Sequence, residues 1–254
     1  GDGFADLIIG ADAASPNGSN SGASYVVFGK ASGFAANLEL SSLDGVNGFW
    51  ISGPALGYAS GKPVASAGDV NGDGFADLII GAFTAAPHGS LSGASYVVFG
   101  KASGFTANLD LSSLNGSNGF KLSGSAAGDW SGRSVASAGD FNGDGFADLI
   151  IGAPRADAHG IDSGASYVVF GKASGFAANL DLSDIDGING FRLSGAVAHD
   201  RTGFSAASAG DVNGDGFADL IIGAYRAGPD AVDSGVSYVV FGGAFGTTVT
   251  TTGT

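Results

Sequence analysis

Short apolar runs recur along this chain at a fixed interval. Asp-Leu-Ile-Ile-Gly-Ala stands at residues 6–11, 77–82, 148–153 and 219–224, and each copy is followed by Ser-Tyr-Val-Val-Phe at 24–28, 95–99, 166–170 and 237–241. Runs this short, rich in β-branched and aromatic residues and bounded by glycine, predict strands rather than helices. Equivalent residues such as Asp2, Asp73, Asp144 and Asp215 stand 71 positions apart, which marks an array of one supersecondary unit.

The second unit predicts four strands, at about 64–68, 77–82, 93–100 and 119–124. The first is almost all Ala, Ser and Gly, as an innermost strand crowded around a central axis must be. The second and third carry the bulk that packs between neighbouring units. The link at 101–116 is expected to fold Phe105, Leu109, Leu111 and Leu114 down as a small local apolar plug with one helical turn. The first unit lacks its strand 1, and the fourth stops after strand 3 at Phe241-Gly242. These features predict an all-β chain, a β-propeller of four-stranded antiparallel blades over residues 1–242. Three and a half to four blades are expected, with 243–254 a threonine-rich tail or an extra strand.

The turn between strands 1 and 2 carries the clearest chemistry. In Asp69-Val-Asn-Gly-Asp-Gly-Phe-Ala-Asp77, side-chain oxygens fall at positions 1, 3, 5 and 9 (Asp69, Asn71, Asp73, Asp77), and the Phe75 carbonyl at position 7 adds one more. Hard oxygen donors at alternate positions of a curled loop suit Ca²⁺. The pattern repeats as Asp140, Asn142, Asp144, Phe146 and Asp148, and as Asp211, Asn213, Asp215, Phe217 and Asp219. Only Asp2 and Asp6 remain of it in the first unit. An EF-hand also begins Asp-x-Asn-x-Asp-Gly, but it needs a glutamate at position 12, where this chain has Ile80, Ile151 and Ile222, and a helix on each side. A metal-free Asp/Asn/Gly turn is the remaining alternative.

Such a loop followed by Leu-Ile-Ile-Gly-Ala, with Gly-Ala-Pro at Gly152 to Pro154, resembles the FG-GAP repeat. Gly203-Phe204 supplies the FG half in one copy, where the others read Gly61-Lys62 and Gly132-Arg133. The resemblance implies the β-propeller of integrin α-subunits and bacterial surface proteins. It also implies Ca²⁺ on Asp69, Asn71, Asp73, Asp77 and their equivalents.

In an antiparallel meander the calcium loops lie at one end of the blade, and the 2–3 and 4–1 connections at the other. Between units the calcium end hardly changes. The other end does: Tyr58, Phe83, Trp130, Arg133, Arg155, Arg201, Tyr225 and Arg226 stand there, residue types that recognition surfaces favour. Drift in solvated loops is the competing reading. A protein or glycan ligand is expected on this face.

Composition narrows the rest. The chain has 254 residues, 44% of them hydrophobic, and a net charge of −14, which argues against nucleic acid and anionic membrane surfaces as partners. No apolar run approaches the ~20 residues of a membrane span. His88, His159 and His199 are the only histidines, and none stands in a catalytic or metal-ligating spacing, so no enzyme is expected. A chain that opens inside a calcium loop reads as a piece of an extracellular or cell-surface protein. Its blades would be completed by a second copy or by adjoining chain, giving a ring of about seven or eight. A compact four-bladed ring closed by Thr247 to Thr252, a structural spacer or lattice element, and an accessory domain of a secreted hydrolase are the alternatives.

Overall fold

The computed structural model describes residues 2–228 and 233–244, and the expected extra strand at Thr247 to Thr252 lies outside them. Among the described residues sixteen strands form four sheets, one per repeat, as a partial β-propeller. Unit 1 contributes β1 (Leu7–Ala11), β2 (Ala23–Val27) and β3 (Gly48–Ser52). Unit 2 contributes β4 (Val64–Gly68), β5 (Asp77–Ala82), β6 (Ala94–Val98), β7 (Asn108–Asp110) and β8 (Gly119–Ser123). Unit 3 repeats this as β9 (Ser134–Gly139), β10 (Asp148–Ala153), β11 (Ala165–Val169), β12 (Asn179–Asp181) and β13 (Gly190–Ser194). Unit 4 has β14 (Thr202–Gly210), β15 (Asp219–Ala224) and β16 (Val236–Val240).

The apolar runs have no polar alternation, and in the two middle blades both of their faces are buried. Ile79 of β5 enters one core layer, with Leu149, Ile151 and Tyr167 of unit 3. Its neighbour Ile80 enters another, with Val26, Phe49 and Ile51 of unit 1. Ile150 faces the third layer, beside Leu220 and Ile222 of unit 4. The small-residue strands β4, β9 and β14 sit side by side on the inside. Contact is so close there that a Cβ at Gly68 would lie 3.2 Å from Ser137 Oγ. Between units 1 and 2 lies a cavity of about 970 Å³, bordered by Phe28, Phe49, Leu78 and Phe105.

The link to strand 4 differs from the expectation of a local plug. Phe105 stacks on Phe49 (4.5 Å between centroids) and meets Phe28 at 5.5 Å, both in the preceding unit. Phe176 repeats this on Phe120 (4.7 Å) and Phe99 (5.3 Å). Beside these rings β7 adds to β3 in parallel, and β12 to β8, with Trp50 N–H donating to Ala107 O at 3.0 Å and Lys121 N–H to Ala178 O at 2.9 Å. The expected helical turn is present as one 3₁₀ turn per link, Leu111–Ser113 and Leu182–Asp184. Units 2 and 3 thus each tie themselves to the outer edge of the unit before, closing an edge that would otherwise be open for association.

Candidate metal loops and the opposite face

Three loops of identical construction join β4 to β5, β9 to β10 and β14 to β15. Gly72 and Gly74 hold φ of +72° and +87°, the left-handed conformation that lets the chain curl, and Gly143, Gly145, Gly214 and Gly216 do the same. Asp69 accepts from the backbone N–H groups of Gly72 (2.7 Å), Asp73 (3.1 Å) and Gly74 (2.8 Å). Asn71 Oδ1 accepts from Asp73 N–H at 3.0 Å, and the Asn71 amide donates to Asp73 Oδ2 at 3.0 Å. Phe75 N–H donates to Asp73 Oδ1 at 2.9 Å, and Phe146 and Phe217 repeat that bond on Asp144 and Asp215 at 2.9 and 3.0 Å. Asp140, Asn142, Asp211 and Asn213 occupy the same places in their loops.

The ninth position is a different kind of group. Asp77, Asp148 and Asp219 are fully buried at the start of their strands. Asp77 Oδ2 accepts from Val70 N–H at 2.9 Å and Oδ1 from Gly100 N–H at 2.8 Å, so this carboxylate fastens the loop to the end of strand 3. Asp148 does so through Phe141 and Gly171 (both 2.9 Å), and Asp219 through Val212 (2.8 Å) and Gly242 (2.9 Å). Asp6 keeps the strand-3 half of the arrangement, accepting from Gly29 N–H at 2.8 Å. This anchoring was missed in the sequence, though an Asp before every apolar run and a Gly after every Tyr-Val-Val-Phe are its visible trace.

Positions 1, 3 and 5 are therefore gathered, while position 9 is held beside them by its own backbone bonds. Among the described residues no three acidic or histidine side chains are drawn into one metal-holding group. The donor chemistry nevertheless fits a hard cation. Every side chain offers oxygen, and carboxylate oxygens bonded to one N–H keep further lone pairs. Burial pushes the Asp77 carboxyl up to about 6, against the Gly100 and Val70 N–H bonds, and the charges of Asp73 and Asp69 add to the rise. Asp148 is pushed up to about 7 by the same burial, with Asp144 adding charge. A divalent cation would relieve that repulsion, so Asp69, Asn71, Asp73, Asp77 and their equivalents are the residues that could hold one.

At the other end the 2–3 and 4–1 loops bring aromatic and basic side chains into one continuous stack. Arg155 lies over the Trp130 ring at 3.8 Å, and Trp130 meets Phe83 at 5.5 Å. Arg133 spans Phe83 (5.8 Å) and Phe204 (4.3 Å), and Phe204 packs on Tyr225 at 4.5 Å. Arg201 donates to Tyr225 Oη at 3.0 Å and pairs with Asp162 at 3.0 Å, while Arg226 covers the outer side of Tyr225 at 5.9 Å. Seven of the eight residues named from the sequence thus meet across three units. The eighth, Tyr58, is half-buried against the core layer of Ile80 and Tyr96. Phe204 and Lys62, the latter 5.3 Å from the Phe83 ring, complete the stack and were read in the sequence only as the FG position.

The backbone beneath this variation is constant. Ala59, Trp130 and Arg201, each 71 residues from the next, all hold left-handed φ (+47°, +58°, +55°), an arrangement that costs non-glycine residues about 1 kcal/mol or more. Two of the histidines clamp neighbouring loops: His88 donates from Nδ1 to Gly124 O at 2.8 Å and sets Nε2 2.9 Å from Asp181, and His159 holds Gly195 O at 2.9 Å. Asn17 makes the equivalent clamp, donating to Gly53 O at 3.0 Å and to Asp110 at 2.8 Å.

Comparison with known proteins agrees with this architecture. The chain is 38% identical over 104 residues to the integrin alpha pat-2 of Caenorhabditis elegans, covering 40% of this chain and 8% of that protein. It is 32% identical over 137 residues to the integrin alpha-PS2 of Drosophila melanogaster, covering 52% and 9%. It therefore spans less than a tenth of the length of these relatives. The FG-GAP repeat model matches four segments, 1–27, 64–98, 131–169 and 203–240, each holding an Asp-rich loop or its remnant together with the two bulky strands that follow. With more than half of its length matched, one repeat per sheet, the chain belongs to the FG-GAP repeat family.

Proposed function

We propose that this chain is a calcium-stabilised, extracellular adhesion module that binds a protein or glycan ligand through its 2–3/4–1 face. The observation that carries this reading is the separation of the two ends. Carboxylate loops repeat unchanged at one, and a stack of Trp, Phe, Tyr and Arg crosses three units at the other. Aromatic and arginine side chains, large and already fixed by stacking, are the usual anchors of recognition surfaces. The similarity to integrin alpha chains points the same way. Ca²⁺ held by the three complete loops would neutralise part of the net charge of −14 and join strands 1 and 2 of each blade. The test is adhesion of the protein to extracellular-matrix preparations with and without the paired substitutions Trp130→Ala and Phe83→Ala. Loss of adhesion at an unchanged melting temperature supports the reading, and undiminished adhesion contradicts it.

A second reading adds a partner to the first. Leu7 of β1 is 62% exposed and Phe241 after β16 is 57%, while their counterparts in units 2 and 3 are buried or nearly so. Apolar blade faces of this kind favour association with another blade, from a second copy or from adjoining polypeptide. Sedimentation over a range of concentrations tests it: self-association is expected, and a monomer at every concentration contradicts the second-copy form.

A further inference from the structure

We propose that the 2–3/4–1 face recognises carboxylate side chains of a partner protein, gripped by Arg133 and Arg155. This rests on the reading of that face as a binding surface and specifies its ligand.

Five of the chain's ten basic residues stand at this end, and they divide into two kinds. Three have acidic partners: Lys62 lies 3.9 Å from Asp12, Arg201 3.0 Å from Asp162, and Arg226 3.8 Å from Asp233. Arg133 and Arg155 form no ion pair among the described residues. Both instead lie flat on aromatic faces, Arg155 on Trp130 at 3.8 Å and Arg133 on Phe204 at 4.3 Å. Stacking uses the face of a guanidinium and leaves its edge, a planar fork of N–H donors, for an acceptor of matching geometry. A carboxylate is such an acceptor and takes two parallel hydrogen bonds. Stacking also holds the side chains in place before binding, which lowers the entropic cost of gripping a ligand.

The rest of the molecule narrows the ligand further. At a net charge of −14 the chain as a whole repels densely charged polyanions, so a ligand with a few carboxylates set in a neutral backbone is favoured over a heavily sulfated glycan.

The test uses immobilised Gly/Ser peptides carrying two well-separated Glu residues, the same peptide with Gln for Glu, and heparin as the sulfated polyanion, with binding followed optically in calcium-containing buffer. The protein is expected to bind the Glu peptide and not the Gln peptide, and to bind heparin more weakly. Arg155→Gln and Arg133→Gln should each weaken Glu-peptide binding roughly tenfold, the effect of losing a charge-assisted bidentate contact. Arg155→Lys should not restore it, because an ammonium cannot form the planar pair. Lys101→Gln at the calcium end should leave binding unchanged. Melting temperatures of all variants separate loss of binding from loss of fold, and if Arg133→Gln melts early, Arg155→Gln carries the test alone. Equal binding of Glu and Gln peptides, absence of binding to either, tighter binding to heparin, or full binding by Arg155→Gln overturns the proposal. Matrix adhesion that depends on Trp130 and Phe83 but not on Arg155 would leave the binding face standing and remove only its carboxylate specificity.

Discussion

The two ends of each blade are made from the same strands and differ in what was allowed to change. At the loop end, Asp, Asn and Asp recur at identical positions in all three complete units, and in each the Asn amide donates to the second Asp. At the other end the backbone is equally constant, down to the left-handed φ shared by Ala59, Trp130 and Arg201, while the side chains it presents are unrelated. The comparison separates two uses of a repeat. Where side-chain chemistry holds the strands together, every unit needs the same residues. Where the backbone alone is fixed, each unit is free to present a different group.

That contrast fails if stability and recognition are not divided in this way, and four substitutions or conditions probe it in descending order of effect. Asp148→Ala removes a fully buried carboxylate that holds both Phe141 and Gly171, and should cost on the order of 3 kcal/mol by denaturant unfolding. Asp144→Ala removes an exposed loop carboxylate, and in 10 mM calcium should cost about 1.4 kcal/mol, the contribution of one site with a constant near 1 mM. A smaller cost for Asp148→Ala than for Asp144→Ala would show that the ninth position is not the anchor described here.

The third concerns pH in the absence of calcium. Burial raises Asp77 to about 6 and Asp148 to about 7, from an ordinary value of 3.8. Groups raised in the folded state favour folding when protonated, so their contribution is complete below about pH 4 and lost as the pH rises through 6 to 7. Chelated protein should therefore be more stable at pH 5.5 than at pH 8, by about 1 kcal/mol after allowance for relaxation and solvent screening. Calcium should remove the difference at pH 8. The smallest effect is expected at the opposite face, where Arg155→Gln should cost about 0.5 kcal/mol, the loss of a cation stacked on the Trp130 ring.

Much of this was legible in the sequence because the apolar runs are short, repeated and bounded by glycine. Strands such as Asp77–Ala82 and Gly119–Ser123 fall where the pattern puts them. The parallel additions β7 and β12 were not legible. Asn-Leu-Asp carries no strand periodicity, and what makes it a strand is the open edge of β3 or β8 in the unit before, a contact of long sequence separation. For the same reason Phe105 reads locally as a plug but belongs to the core of another blade. The loop donors were visible from spacing. The double role of Asp77 was not, because its partner Gly100 lies a full hairpin away.

The division between the two ends is tested most directly by thermal unfolding as a function of calcium. With site constants near 1 mM, each complete loop should add about 1.4 kcal/mol at 10 mM calcium. The melting temperature should climb steadily with calcium concentration and fall sharply in excess EDTA, with a shallower climb for Asp144→Ala and an unaltered one for Trp130→Ala. A melting curve that is the same in calcium and in EDTA would contradict that division.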